Sequence, residues 1–162
     1  MTIKVGDSMP AGAFTIMTED GPAALSSDDL FGGKKVVLFS VPGAFTPTCS
    51  MQHLPGFVDN ADALKAQGVD SIACIAVNDV FVMDAWGKSA GAAGKVVMLA
   101  DGNAEYTKQL GLELDASGFG MGIRGQRFSL VVDNGSVTHV NIEGPGEFEV
   151  SNAETALKQT AA

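Results

Sequence analysis

Val36-Val-Leu-Phe-Ser-Val41-Pro42-Gly-Ala-Phe-Thr46-Pro-Thr-Cys49 is the stretch on which the fold turns. Val36 to Val41 is an almost unbroken apolar run of strand length, closed by Pro-Gly, and reads as a buried strand. From Met51 to Gly68 the pattern becomes helical. Cys49 therefore stands where a strand hands over to a helix. A thiol at a helix N-terminus meets unpaired backbone N–H groups and the positive end of the macrodipole. Both favour the thiolate, which is the nucleophilic form of cysteine. Thr46, three residues earlier, can bring its hydroxyl to a group bound at the sulfur. Pro42 has no N–H, so it can wall the site without competing for a ligand's hydrogen bonds.

The chain has 162 residues, enough for one core, and residues 1–162 are expected to form a single domain. Net charge is −9, from 19 acids against 10 bases. A phosphate backbone needs clustered Lys and Arg, so no nucleic-acid partner is expected. The acidity reads as a solvated surface. No apolar run approaches bilayer length, so no membrane partner is expected. The N-terminus lacks an apolar signal core and an Arg-rich presequence. Two cysteines 25 residues apart do not make a disulfide scaffold. A reducing compartment, the cytoplasm, is the expectation.

Working outward, Ser71 to Val77 and Val96 to Ala100 read as further strands. Phe128 to Val132 and Val137 to Ile142 read as a hairpin across Asp133-Asn134-Gly135. Helical patterns fall at about 49–67, 79–90, 103–110 and 152–160. Pro55 should kink or interrupt the first. Strands alternating with helices, and a terminal hairpin, predict an α/β fold with a central mixed β-sheet flanked by helices.

The pattern Pro42-x-x-x-Thr46-x-x-Cys49 resembles the signature of the peroxiredoxins, which are thiol-dependent peroxidases. The longer string Val41 to Cys49, with Ser50, His53, Leu-Pro-Gly and Phe57, is similar to the type II or peroxiredoxin-5-like branch of plants, bacteria and mitochondria. Val77 to Trp86, Gly120 to Val132, Asn141 to Gly144 and Gly146-Glu-Phe148 match in order, so the resemblance spans nearly the whole chain. It implies a thioredoxin-like fold with a peroxiredoxin-type N-terminal extension. In that fold Thr46-Pro-Thr-Cys49 takes the place of a Cys-x-x-Cys motif, with Thr for the first Cys.

The resemblance implies reduction of hydrogen peroxide and organic hydroperoxides through a sulfenic acid on Cys49. It makes Thr46 and Arg127 the residues that position and polarise the peroxide, and Pro42 the shield of the thiolate. The reductant it implies is glutaredoxin with glutathione, or thioredoxin; the sequence does not choose between them. No cofactor and no metal are expected. A homodimer is expected through loops at the active-site end, which supply Phe45, Phe81, Phe119 and Met121.

The remaining candidates have plainer readings beside the chemical ones. Cys74 shares a strand face with Ile72 and Ala76 and reads as a buried structural thiol; the resemblance implies instead a thiol that resolves Cys49 as an intramolecular disulfide, and both stay open. His53 lies on the helical face of Cys49 and reads as a packed or capping histidine rather than one that tunes the thiolate. Thr48 is the expected helix N-cap. Arg124 has no family match and reads as a loop or interface residue. Gly120-Met-Gly-Ile-Arg-Gly125 fits a dinucleotide fingerprint only by spelling, because it follows a loop and precedes a strand; it reads as a flexible loop that delivers Arg127. Two other activities remain open, a dithiol oxidoreductase and a non-enzymatic redox sensor that uses Cys49 as a switch.

Overall fold

The computed structural model describes residues 1–161. Its strands are β1 (Ala13–Thr18), β2 (Gly21–Ser26), β3 (Lys35–Ser40), β4 (Ser71–Ala76), β5 (Val97–Ala100), β6 (Glu113–Asp115), β7 (Ile123–Gly125), β8 (Phe128–Asp133) and β9 (Ser136–Ile142). Its helices are α1 (Ser27–Phe31), α2 (Leu54–Asp59), α3 (Ala61–Ala66), α4 (Val80–Ser89), α5 (Glu105–Gln109) and α6 (Ala153–Thr160). Every strand and helix expected from the sequence is present, with bounds moved by a residue or two. The exception is the first helix, which is divided.

Seven strands form one sheet in the order β2-β1-β5-β4-β3-β8-β9, and β6 pairs with β7 in a separate ribbon. β3, β4 and β5 run parallel, while β1 and β8 join that centre antiparallel. The sheet is therefore mixed, as expected. Asn134 and Gly135 both take positive φ, 49° and 79°, the geometry of a tight hairpin turn between β8 and β9.

Alternation along the central strands splits the core by face. Val37, Phe39, Ile72, Cys74 and Val131 face one side, covered by α2, α3, α4 and α6. Val36, Leu38, Ala73, Ile75 and Leu130 face the other, covered by α1 and α5. Cys49 belongs to the first side. The N-terminal extension is the hairpin β1–β2, which lengthens the sheet beyond β5. The sequence reading had no strand there. Gly21-Pro-Ala-Ala-Leu-Ser26 has almost no β-branched or aromatic residue, and only pairing with β1 makes it a strand.

The expected helix over 49–67 is divided in three. Helical backbone begins at Pro47, and Cys49–His53 form a π-helical turn closed by donation from the Leu54 amide to the Cys49 carbonyl. Pro55 follows at once. It has no N–H for an α-type bond, and the wider turn lies directly before it. Asn60 then breaks the helix between α2 and α3, with its amide nitrogens turned to the Gly56 carbonyl.

Candidate active site

The loop that leaves β3 is held from several sides. Asn78, at the end of β4, accepts from the Ala44 amide at 2.9 Å. Trp86 of α4 donates its indole N–H to the Ser50 hydroxyl at 3.0 Å. Arg124 donates from Nε to the Met121 carbonyl and from Nη1 to the Val77 carbonyl, at 2.8 and 3.0 Å. A Cβ on Gly43 would meet Thr46 Cγ2 at 3.3 Å and Arg124 Nη1 and Met121 Cε at 3.4 Å, so these segments close tightly around the glycine. Arg124 is thus a half-buried brace between loops. It lies in β7, which corrects its reading as a loop residue.

Cys49 is fully buried, and its sulfur meets two of the expected partners. Thr46 Oγ1 lies 2.9 Å from Sγ and donates to the Gly43 carbonyl at 2.7 Å. A hydroxyl has one proton and two lone pairs, so Thr46 can serve one neighbour as donor and another as acceptor. Arg127 Nη2 donates to Sγ at 3.1 Å. Neither threonine caps the helix with its side chain. Thr48 is already helical and makes no cap bond, which corrects the expectation for it. The Ser50 amide donates to the Thr46 carbonyl, so the helix starts there with Pro47 as its first residue. The amides of Thr48 and Cys49, in that first turn, have no acceptor among the described residues.

His53 is buried and ties the arginine down. Arg127 Nη1 donates to Nδ1 at 2.9 Å, and Nε2 lies 2.9 Å from the Ser151 carbonyl. A guanidinium only donates and a carbonyl only accepts, so His53 carries its proton on Nε2. Burial first, then the Arg127 charge, hold its pKa down to about 3. His53 packs among Phe39, Phe57 and Phe148, and Phe148 also lies over the Arg127 guanidinium, 5.8 Å away. The packed reading of His53 holds, but its contact with Arg127 was not foreseen. The i, i+4 spacing from Cys49 was the only available signal.

A cavity of about 220 Å³ opens beside these groups, lined by Pro42, Thr48, Leu114, Gln126, Arg127 and the segment Glu143 to Glu147. Pro42 lines this cavity together with Arg127. Of the segment Gly120 to Gly125, expected to be a flexible loop, the second half folds instead: Ile123–Gly125 form β7, paired with β6. It opens no helix, so the dinucleotide reading stays dismissed. Among the described residues no His, Cys, Asp and Glu cluster could hold a metal ion.

Cys74 sits in β4 opposite Phe39, fully buried. Both cysteines are free thiols. Burial, and then the nearby Cys49, push the Cys74 thiol well above the ordinary cysteine range. Of the four candidate interface residues, Phe45, Phe81 and Phe119 are exposed, Phe119 by 85 %. Phe81 lies in the first turn of α4 rather than in a loop, and Met121 is half-buried against the Gly43 loop. Phe45 holds a left-handed φ of 63°, strained for an aromatic residue.

The redoxin family profile matches residues 4–157. Peroxiredoxin-2D of Arabidopsis thaliana is 52% identical over 157 residues, covering 96% of this chain and 97% of the relative. The structure of reduced Prx3 from Vibrio vulnificus in complex with hydrogen peroxide superposes with a TM-score of 0.94 at 53% identity, covering 98% and 99% of the two chains. Peroxiredoxin 5 from Alvinella pompejana gives 0.86 at 36% identity, covering 98% and 97%. Relatives of this identity match the chain almost end to end, and the thioredoxin-like mixed sheet superposes on theirs; the protein belongs to the redoxin family as a type II, peroxiredoxin-5-like peroxiredoxin, a thiol-dependent peroxidase.

Proposed function

We propose that Cys49 is the sulfur that attacks peroxide and that Thr46 and Arg127 orient and polarise the O–O bond. The contact of both residues with one buried Sγ, at 2.9 and 3.1 Å, carries this reading. The Cys49 thiolate attacks the terminal oxygen of ROOH. An S–O bond forms as the O–O bond breaks; sulfur loses two electrons and the peroxide gains them. The leaving alkoxide takes a proton, giving ROH, or water when R is hydrogen, and Cys49 becomes a sulfenic acid. Arg127 points a charged donor at the place where negative charge grows on the leaving oxygen. Thr46 has one proton, shared between the Gly43 carbonyl and the thiolate, and lone pairs that accept from the peroxide proton. The free amides of Thr48 and Cys49 add neutral donors at the same helix start. Pro42 closes the wall against water.

Hydrogen peroxide and small organic hydroperoxides suit a cavity of this size. A first external thiol condenses with the sulfenic acid, releasing water and leaving a mixed disulfide. A second thiol attacks that disulfide and frees Cys49. Glutaredoxin with glutathione, or thioredoxin, supplies these thiols, and the cytoplasm is the compartment that keeps them reduced. Cys74 is buried and poorly ionised, which favours resolution by the external thiol. The protein acts as a homodimer through Phe45, Phe81 and Phe119, a reading supported by the exposure of all three large apolar side chains.

Stopped-flow reaction of the reduced protein with hydrogen peroxide tests the core of this reading. Oxidation should be orders of magnitude faster than that of free cysteine, and Cys49→Ser should abolish turnover in a folded protein. A tenth of the activity surviving in that variant would remove Cys49 from its role.

A further inference from the structure

Glu143 is a buried acid that the proposed reaction leaves unused. It follows β9, and its own amide donates to the Arg127 carbonyl at 3.0 Å. Its Oε2 accepts from the Val150 amide at 2.9 Å, the Ser151 amide at 2.8 Å and the Ser151 hydroxyl at 2.6 Å. Both its oxygens share the Glu149 amide at 2.9 Å. Three backbone N–H groups and one hydroxyl converge on a single side chain. Residues 144–151 are thereby closed into a strap whose far end is pinned to its near end.

The strap presents two groups to the active site. The Ser151 carbonyl receives the Nε2 proton of His53, and the Phe148 ring packs on His53 at 4.8 Å between centroids. That carbonyl at Nε2 and the Arg127 donor at Nδ1 together set which imidazole nitrogen keeps the proton. With the proton on Nε2, Nδ1 is free to accept from Arg127 Nη1, and Nη2 of the same planar fork then faces Sγ. Moving the carbonyl lets the proton shift to Nδ1, where it would oppose the Arg127 donor instead of receiving it.

We propose that Glu143 is a positioning residue for Arg127: by holding Ser151 in place it fixes the His53 tautomer, and through it the aim of the guanidinium at Cys49. This rests on the roles proposed for Cys49 and Arg127. A carboxylate suits the task because one oxygen can accept several donors at once and gains strength from its charge. An apolar residue at 143 would leave those backbone amides to find water at the lip of the cavity.

The test uses the reduced full-length protein with ¹⁵N-labelled imidazole rings. Long-range proton–nitrogen correlation reads the tautomer of His53, and stopped flow reads the oxidation of Cys49 by hydrogen peroxide. In the wild type His53 should be wholly protonated on Nε2. Glu143→Ala should show mixed tautomers and oxidise about ten- to a hundredfold more slowly, the scale of an ångström-sized misplacement of a reacting group. Glu143→Gln keeps one oxygen to collect the strap donors, so it should restore the tautomer and bring the rate within about threefold of wild type. Ser151→Ala removes only the hydroxyl bond and serves if Glu143→Ala does not fold. It should shift part of the His53 population and slow oxidation about two- to fivefold. A folded Glu143→Ala with the wild-type rate, or with a slow rate and an unmoved His53 tautomer, overturns the proposal, as does a Ser151→Ala unchanged in both readouts. Were Cys49 not the nucleophile, the wild type itself would react slowly, while the tautomer measurement would still judge the strap.

Discussion

Arg127→Ala is the most informative single substitution, because the guanidinium makes two directed bonds with no evident substitute. Nη2 donates to the buried Cys49 sulfur at 3.1 Å and Nη1 to His53 at 2.9 Å. Two opposite unit charges about 4 Å apart interact by about 4 kcal/mol at the effective dielectric of a protein surface. Charge-assisted hydrogen bonds measured by substitution give about 1.5–3 kcal/mol, and removal of a preorganised donor in other enzymes costs about 10²–10³ in rate. These estimates converge, so Arg127→Ala should slow peroxide attack about 10²–10³-fold. Arg127→Lys should recover only part of this, since one ammonium cannot reproduce a planar fork that reaches sulfur and imidazole together. Arg124 makes no contact with sulfur. Arg124→Ala should loosen the loop junction and lower stability by about 1–3 kcal/mol, the cost of leaving buried carbonyls unpaired, while slowing attack far less. The assay is the second-order rate of oxidation by hydrogen peroxide for each reduced, folded variant. Equal defects at the two arginines, or an Arg127→Ala within a few-fold of wild type, would refute the reasoning.

Three further outcomes are expected. His53 keeps a folded pKa of about 3 against about 6.5 when unfolded, so below pH 6.5 the unfolded chain binds a proton that the folded one refuses. Stability should therefore fall as pH drops from 6.5 towards 3, by about 1.4 kcal/mol per unit and on the order of 5 kcal/mol in all; Glu143, whose carboxyl is held below its usual range, adds loss of the same sign further down. Denaturant melts at several pH values should show a flatter acid slope in His53→Gln, and equal slopes would mean that His53 titrates freely. Phe45→Glu should turn a reduced dimer into a monomer in sedimentation at micromolar concentration, whereas a wild-type protein already monomeric would remove the interface. Cys74→Ser should keep turnover with glutathione and glutaredoxin; its loss in a folded variant, or a 49–74 disulfide in peptide maps after one equivalent of peroxide, would make Cys74 a resolving thiol.

Most of the frame was readable because the buried strands are short apolar runs set off by glycine and proline, and because Asn134-Gly135 admits few geometries other than a tight turn. The β1–β2 hairpin was not readable, since β2 owes its extended form to its neighbour rather than to its residues. The π-helical turn at Cys49 was signalled only by Pro55, which announces an interruption without saying which kind. At the site, Cys49, Thr46 and Pro42 lie within eight residues and show themselves by spacing. His53, Glu143 and Ser151 were hidden for a different reason. His53 meets Arg127 and Ser151 across 74 and 98 residues, and Glu143 meets Ser151 by closing an irregular strap that has no helical or strand period. Buried polar networks closed by tertiary contact leave no periodic mark in a single sequence.

Arg127 shows how a residue 78 positions from Cys49 can be placed by strand pairing. β8 pairs antiparallel with β3, with Ser40 opposite Phe128, so Arg127 enters the sheet beside the exit of β3. The face is set by parity. Phe128, Leu130 and Val132 belong to the core under α1 and α5, while Val131 belongs to the core that holds Cys49. Arg127 shares the parity of Ser129 and Val131 and so emerges on the Cys49 side. A register slip of one residue would carry it to the opposite face, together with every apolar side chain of β8. The same alternation that sorts the side chains of β8 between the two cores therefore also aims the guanidinium, and the mispacking that a slip would force in both cores protects the site against misalignment. On this argument the placement of Arg127 beside Cys49 is secured by the sheet, and its fine aim by His53.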